Sequence, residues 1–470
     1  MSIKSKLYCC LSICIPFAIT LFYVWSTAAD VAFRDDMYLI KGGFVEKYCD
    51  GSLAFGDLWR PTALNRILGY GAIQWVNMKI FGMNSRIIVL LIPFLILASA
   101  ILIYRDYRKS LLPRCSMEFI TASFFLLSLV IFSVIQWEGL TYAYGFVFQA
   151  PMPFFIASFI SLELFVTRSD LKYWFPAFVF PTLAILVFGG NLAFVFAPSL
   201  GSTFLCYLLI HHFKLAKDCW FRLLLISIFL IAIACLYLYR IHENDYFSSS
   251  SGLLDKIMII MISPTNALQF LLAALGASVV GVNVADMYLS FQFMATLGMF
   301  VLFLYGLSMY LFVASKLYKI TYLPLYLIMQ SFFYIVFMMI GRFGYGIDYG
   351  MASRYTCISI YGLVGSLWMI IFFLVNSNNI KPYKRILLYM PAVVIFSGIL
   401  VTSIVEWRIQ PHRQAYFKKL HEIALRVDTA TDEELSKFEE RPALVRGSLK
   451  ILRDCNLNVY RSSSPPDLSH

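Results

Sequence analysis

An all-α integral membrane fold is predicted by three features of the sequence. The 470-residue chain is 60% hydrophobic and only 14% charged, with a mean hydropathy of +0.75. Soluble domains carry about a quarter charged residues. Apolar runs of roughly 20 residues, each long enough to cross a bilayer as a helix, recur along the whole chain. Lysine and arginine collect in the short loops after alternate runs, the pattern that fixes orientation in a membrane. About eleven spans result, with the N-terminus inside and the C-terminus outside. The net charge of +11 then belongs to the cytoplasmic loops and needs no nucleic acid partner. Aromatics at 17% suit interfacial belts.

The first run, 7–29, follows Lys4 and Lys6 and is too long for a signal h-region, so it reads as an uncleaved anchor. Residues 30–84 form the first outer loop, with helical spacing over 37–48 and 65–81 that predicts short interfacial helices. Spans follow at 86–104, 119–136 and 152–167, and two more fill 174–212, broken at Gly189-Gly190-Asn191. Span seven is 223–238. Residues 257–287 are apolar but hold Pro264, Asn266, Gly276 and Gly281, and no basic loop follows them. They read as a half-inserted or surface-lying element, since broken helices at membrane depth line cavities. The last four spans are 288–313, 323–340, 355–375 and 386–404. The chain therefore divides into a polytopic domain, 1–404, and a small polar outer tail, 405–470. Helix-like runs at 413–427, 432–438 and 444–452 and a short strand at 457–460 are expected in that tail.

Four clusters of polar residues fall on the outer face. Arg34-Asp35-Asp36 sits at the mouth of the first span, where charge is poorly solvated. An acidic pair there serves either as a solvated helix cap or as a functional pair. The charged residues on the same face favour function, and two close carboxylates split their pKa values, as a general base requires. The same loop carries Gly56-Asp57-Leu58-Trp59-Arg60-Pro61 and Asn65-Arg66. Gln136-Trp137-Glu138 ends the third span; Trp137 alone reads as an interfacial anchor, but Glu138 has no basic partner in its own loop. Late in the chain, Gly341-Arg342-Phe343-Gly344-Tyr345-Gly346 leads to Ala352-Ser353-Arg354-Tyr355. That segment is either a flexible loop with snorkelling arginines or a phosphate cradle. No HExxH, Walker or CxxC motif is present. Cys49 and Cys455 both face the outer compartment on this topology; they either pair, pinning the tail to the first loop, or stay as thiols.

These four clusters resemble the GT-C class of polytopic glycosyltransferases, and more narrowly the phage- and island-encoded serotype-converting glucosyltransferases that decorate O-antigen. The resemblance implies a bacterial inner-membrane enzyme with its active site on the periplasmic face. It would move a sugar, glucose in that group, from a polyprenyl-phosphate donor to a hydroxyl of a lipid-linked or surface polysaccharide. Asp35, Asp36 and Glu138 would be the catalytic residues. One aspartate takes the acceptor proton, and the other orients the hydroxyl or holds a divalent metal ion. Arg342, Arg354 and Arg66 would bind the donor phosphate, and Arg34, Trp59, Arg60, Trp137 and Tyr345 the substrates. Where the group often carries a histidine before an arginine, this chain has Asn65. Two rivals stand beside this reading: a transporter or flippase of lipid-linked sugars, and an O-antigen polymerase or ligase. A transporter predicts ionisable residues deep in the spans, whose interiors read as nearly free of charge. A polymerase or ligase predicts a large basic outer loop late in the chain, where this chain has a short one.

Overall fold

The computed structural model describes residues 3–59, 68–168, 170–211, 217–239, 253–377 and 381–461. Among the described residues every regular element is a helix and none is a strand. Nine helices there are long and apolar enough to cross a membrane, and a tenth is added if one sharply bent pair counts as a single span. The chain is an all-α multi-pass membrane protein. Lipid offers no partner for backbone N–H and C=O groups, so helices that satisfy them internally are the form this composition takes.

Helix boundaries follow local chemistry. The Asn84 side chain accepts from the Arg86 N–H to start Ser85–Leu111, and Ser116 caps Met117–Ile131 through the Phe119 N–H. Proline opens Pro151–Thr167, Pro264–Ala277, Pro382–Leu425 and Pro442–Asp454, where its missing N–H costs nothing. The ambiguous apolar stretch is three helices, Asp255–Ile262, Pro264–Ala277 and Val282–Tyr288, the first two bent by 98° across Ser263. The long run after residue 174 breaks where its glycines fall, into Trp174–Thr182 with a π-helical extension and Ala193–Ile210.

Three expectations are corrected. The last span does not end near residue 404: one helix of 44 residues, Pro382–Leu425, runs on into the tail. At 1.5 Å per residue it is about 66 Å long, twice the hydrocarbon thickness. Pro411 lies inside it, and a Glu406–Arg413 ion pair at 2.5 Å spans the proline on one face. The tail's expected strand is a single 3-10 turn, Asn458–Tyr460, because Asn456 and Asn458 both take left-handed backbone angles. The helix expected over 37–48 is two short ones, Asp36–Ile40 and Phe44–Cys49, parted at Gly42, whose φ is 74°.

The tail is seated on the first loop. Cys49 and Cys455 form a disulfide with Cα atoms 5.8 Å apart. The Ser448 hydroxyl donates to the Met37 carbonyl at 3.0 Å, and the Tyr38 hydroxyl to Glu439 at 2.9 Å. Asn458 accepts from the Ala32 N–H and donates to the Met83 carbonyl, both at 2.9 Å. In the first loop, Leu68–Phe81 turns Trp75, Val76, Ile80 and Phe81 outward and buries Tyr70, Gln74 and Asn77. An apolar face turned outward suits lipid rather than water.

Candidate active site

The site begins at the turn that leaves the first helix, Ile3–Thr27. Arg34 has φ 56°, a left-handed angle, and its N–H donates to the Phe438 carbonyl of the tail at 3.1 Å. The tight turn lets the Phe33 N–H reach the Asp36 carboxylate at 3.4 Å. Asp36 then opens a short helix whose first turn favours an acid. Successive residues on a helix point about 100° apart. The two aspartates consequently diverge: Asp36 is 2% exposed, and Asp35 is exposed.

Asp36 is the end of a buried chain of hydrogen bonds. The Tyr70 hydroxyl donates to it at 2.9 Å, Gln74 donates to Tyr70 at 2.8 Å, and Asn77 donates to Gln74 at 3.1 Å. Burial pushes the Asp36 carboxyl up to about 7; the bonds from Tyr70 and Phe33 oppose that shift, and the neighbouring Asp35 adds to it only slightly. Burial likewise holds the Tyr70 phenol well above its ordinary range, with the Asp36 charge adding to the effect. The rise at Asp36 is thus produced by its desolvation, more than by repulsion from Asp35.

Glu138 lies in a one-turn helix, Trp137–Thr141. Its backbone N–H donates to the Ser353 hydroxyl at 3.1 Å. Its carboxylate accepts from the Ser353 hydroxyl at 3.1 Å and from the Arg354 N–H at 3.2 Å. The Arg354 guanidinium stands 3.7 Å from the same carboxylate and donates to the Tyr349 hydroxyl at 2.6 Å. The basic partner missing from the Glu138 loop is therefore supplied by a segment more than two hundred residues later in the chain. Within the Glu138 loop, Gly145 lets the backbone pass close to Gly139, since a Cβ there would lie 2.3 Å from the Gly139 carbonyl oxygen.

Arg34, Asp35, Glu138 and Arg354 line one small cleft, walled by Phe33, Tyr142, Tyr144, Gly145 and Phe148. Acid, base and aromatic faces thus meet in one place. Tyr142 is held by edge contacts with Phe33 at 5.0 Å and Trp137 at 5.7 Å. Burial keeps its phenol protonated far above neutrality, and it feels the charges of Glu138, Arg34, Arg413 and Arg354.

The other sequence-predicted residues lie outside this lining. Asp36 stands behind it. Trp137 is part of its support, packed between Tyr142 and Arg413. Arg342 ends the Leu323–Arg342 helix, 5.6 Å from the Tyr345 ring, and feels Tyr349, Tyr355 and Arg354. Tyr345 is 65% exposed and stacks on Tyr349 at 5.2 Å. In this segment the glycine requirement is at Gly346, whose φ is 115°. Trp59 ends the helix Phe55–Trp59, where Asp57 is engaged by Lys47 at 2.5 Å. Arg60 and Arg66 lie outside the described residues. The tyrosines Tyr142, Tyr144, Tyr349 and Tyr70 were missed by the sequence reading; the aromatic-glycine run 142–148 right after Glu138 was the available signal.

The described residues do not form a divalent-metal site. The two aspartates face apart, and among the described residues no three acid, histidine or cysteine side chains converge. One acidic residue does fall inside an expected span. Glu163 lies within Pro151–Thr167 and accepts from the Tyr322 N–H at 2.6 Å, while Thr321 reaches both Glu163, at 3.3 Å, and Asp106, at 3.1 Å. Asp106 and Glu406 sit on helices that extend past their expected ends. No protein-family model matches this chain, and no curated protein matches it.

Proposed function

We propose that this chain is a bacterial inner-membrane glycosyltransferase that moves a sugar, glucose by its resemblance, from a polyprenyl-phosphate donor to a hydroxyl of a surface polysaccharide such as O-antigen, on the periplasmic side. The observation that carries the reading is the meeting of Asp35 with Arg354 in one aromatic-walled cleft. A carboxylate and a guanidinium that line one cleft with tyrosine and phenylalanine rings fit a sugar phosphate whose leaving group is anionic.

In this reading Asp35 takes the proton from the acceptor hydroxyl as that oxygen bonds to the anomeric carbon. The bond from the anomeric carbon to the phosphate oxygen breaks, and polyprenyl phosphate departs with the negative charge. Arg354 stabilises that charge, oriented by Glu138 and Tyr349, with Arg342 next to it. Glu138 accepts from the Ser353 hydroxyl and the Arg354 N–H and faces the Arg354 guanidinium, so its role is to hold Arg354 in place. Asp36 fixes the turn that presents Asp35. No metal enters any step. The test is incubation of purified protein in detergent with a polyprenyl-phosphate sugar and the acceptor polysaccharide, following release of polyprenyl phosphate. Release that depends on acceptor supports the reading; no release with any hexose donor removes it.

The transporter reading draws on the Asp106, Thr321 and Glu163 cluster. Pro151–Thr167 carries Glu163 near one end, while Phe148, just before its other end, lines the cleft. Transport requires two compartments. Turnover in detergent, where there is one, separates the two readings.

A further inference from the structure

We infer that Arg413, on the tail-bearing helix, is a positioning residue for the cleft and acts through Trp137. The inference rests on the transfer reading above. It starts from a buried polar network on which three separate helices converge. Glu406 is fully buried and Arg413 is 8% exposed, and they pair at 2.5 Å across Pro411. Glu406 also accepts from the Asn283 amide at 2.7 Å, and Arg413 donates to the Tyr23 hydroxyl. Tyr23 belongs to the first helix and Asn283 to Val282–Tyr288. Removing two charges from water is expensive, and an apolar pair of similar volume is often as stable or more so. Stability alone is a weak reason for this arrangement.

The geometry gives a stronger one. The Arg413 guanidinium carbon lies 3.6 Å from the centre of the Trp137 ring, a close cation–π stack. Trp137 packs its ring edge-on with Tyr142, which walls the cleft, and its backbone leads directly into Glu138. Phe417, one turn along from Arg413, meets Tyr142 at 6.0 Å and Phe33 at 5.7 Å. The terminal helix thus sets the wall of the cleft from behind. Arg413 touches no cleft space itself.

Two variants of the full chain test this, with Asp35→Asn as a control in the same assay. The double variant Glu406→Leu with Arg413→Met replaces the buried pair by apolar side chains and should keep its thermal midpoint. Arg413→Lys keeps the charge beside Glu406 but loses the planar stack. Both should lower kcat at least about tenfold, as a small misplacement of a catalytic group does, with KM within about twofold. Wild-type kcat in either folded variant overturns the inference. Failure of both to fold also overturns it, since the pair is then structural. Full activity of Asp35→Asn would instead sink the transfer reading; an inactive Asp35→Asn beside fully active Arg413 variants sinks the positioning role alone.

Discussion

The Tyr70 hydroxyl holds the Asp36 carboxylate at 2.9 Å in a pocket closed to water, and Asp35, its neighbour in sequence, is left facing the cleft. The acidic pair is therefore divided into a buried member and an exposed one. The division has consequences that separate the two residues in experiment.

Asp36 makes stability depend on pH in a defined direction. Its carboxyl moves from an ordinary 3.8 to about 7 on folding. Below the lower value both states carry the proton, and the folded state has its full advantage. Between the two the unfolded chain ionises first, so stability falls as pH rises, and above about 7 the loss is complete. Asp36→Asn stays neutral and still accepts from Tyr70. Its thermal midpoint should match or exceed wild type at pH 8, with the gap closing toward pH 4. Parallel curves at all pH values would contradict the buried placement.

Tyr70→Phe removes the donor and leaves the Asp36 oxygen unmet. A buried acceptor without a partner costs about 1–3 kcal/mol, which a thermal or denaturant melt in detergent detects. The loss should be larger at pH 8, where more of Asp36 is ionised, than at pH 5. A melt unchanged at both pH values would show that the bond carries no stability.

Arg354 and Arg342 should respond differently to lysine. Arg354 makes a directed bond to Tyr349 and faces Glu138, geometry that an ammonium does not reproduce. Arg354→Lys should cut kcat by roughly a hundredfold, the scale of losing one preorganised donor to a developing anion. Arg342→Lys, set beside the cleft, should lose about tenfold or less, mostly in KM. Steady-state rates over a range of donor concentration check both, and equal losses would place Arg342 on the leaving phosphate as well.

The Cys49–Cys455 disulfide closes a loop of 406 residues between the first outer loop and the tail. Cys49→Ser should abolish the gel-mobility shift seen on reduction. It should also lower stability by roughly 2–4 kcal/mol. Because the Phe438 carbonyl supports the backbone of Arg34, loosening the tail should reduce sugar transfer too. A reduction-sensitive shift that survives in Cys49→Ser would mean that other cysteines pair.

Much of this was legible before the structure. Long apolar runs announce membrane helices because lipid leaves no other solution, and the break at Ser263 was foreshadowed by Pro264 and Asn266. The Asp35, Glu138 and Arg354 clusters stood out because charge at a span end needs a reason. What could not be read was direction. Nothing in Asp35-Asp36 says which carboxylate turns inward, since that is set by Tyr70, thirty-four residues away. The sequence places the end of the last span at residue 404, where the chain turns polar, although the helix runs on. A tertiary ion pair and a tryptophan face carry the helix through that polar stretch. Glu163 was passed over inside an apolar run because its partners, Thr321 and the Tyr322 N–H, come from another helix.

The decisive measurement compares Asp35→Asn and Asp36→Asn, both purified and folded, for transfer of sugar from polyprenyl phosphate to acceptor. Asp35→Asn should lose activity by a factor of about a thousand or more, as expected for removal of a general base. Asp36→Asn should keep at least about a tenth of wild-type turnover, since asparagine still accepts the Tyr70 bond that shapes the turn. Full turnover by Asp35→Asn, or loss confined to Asp36→Asn, would contradict the assignment of the cleft-facing carboxylate as the base.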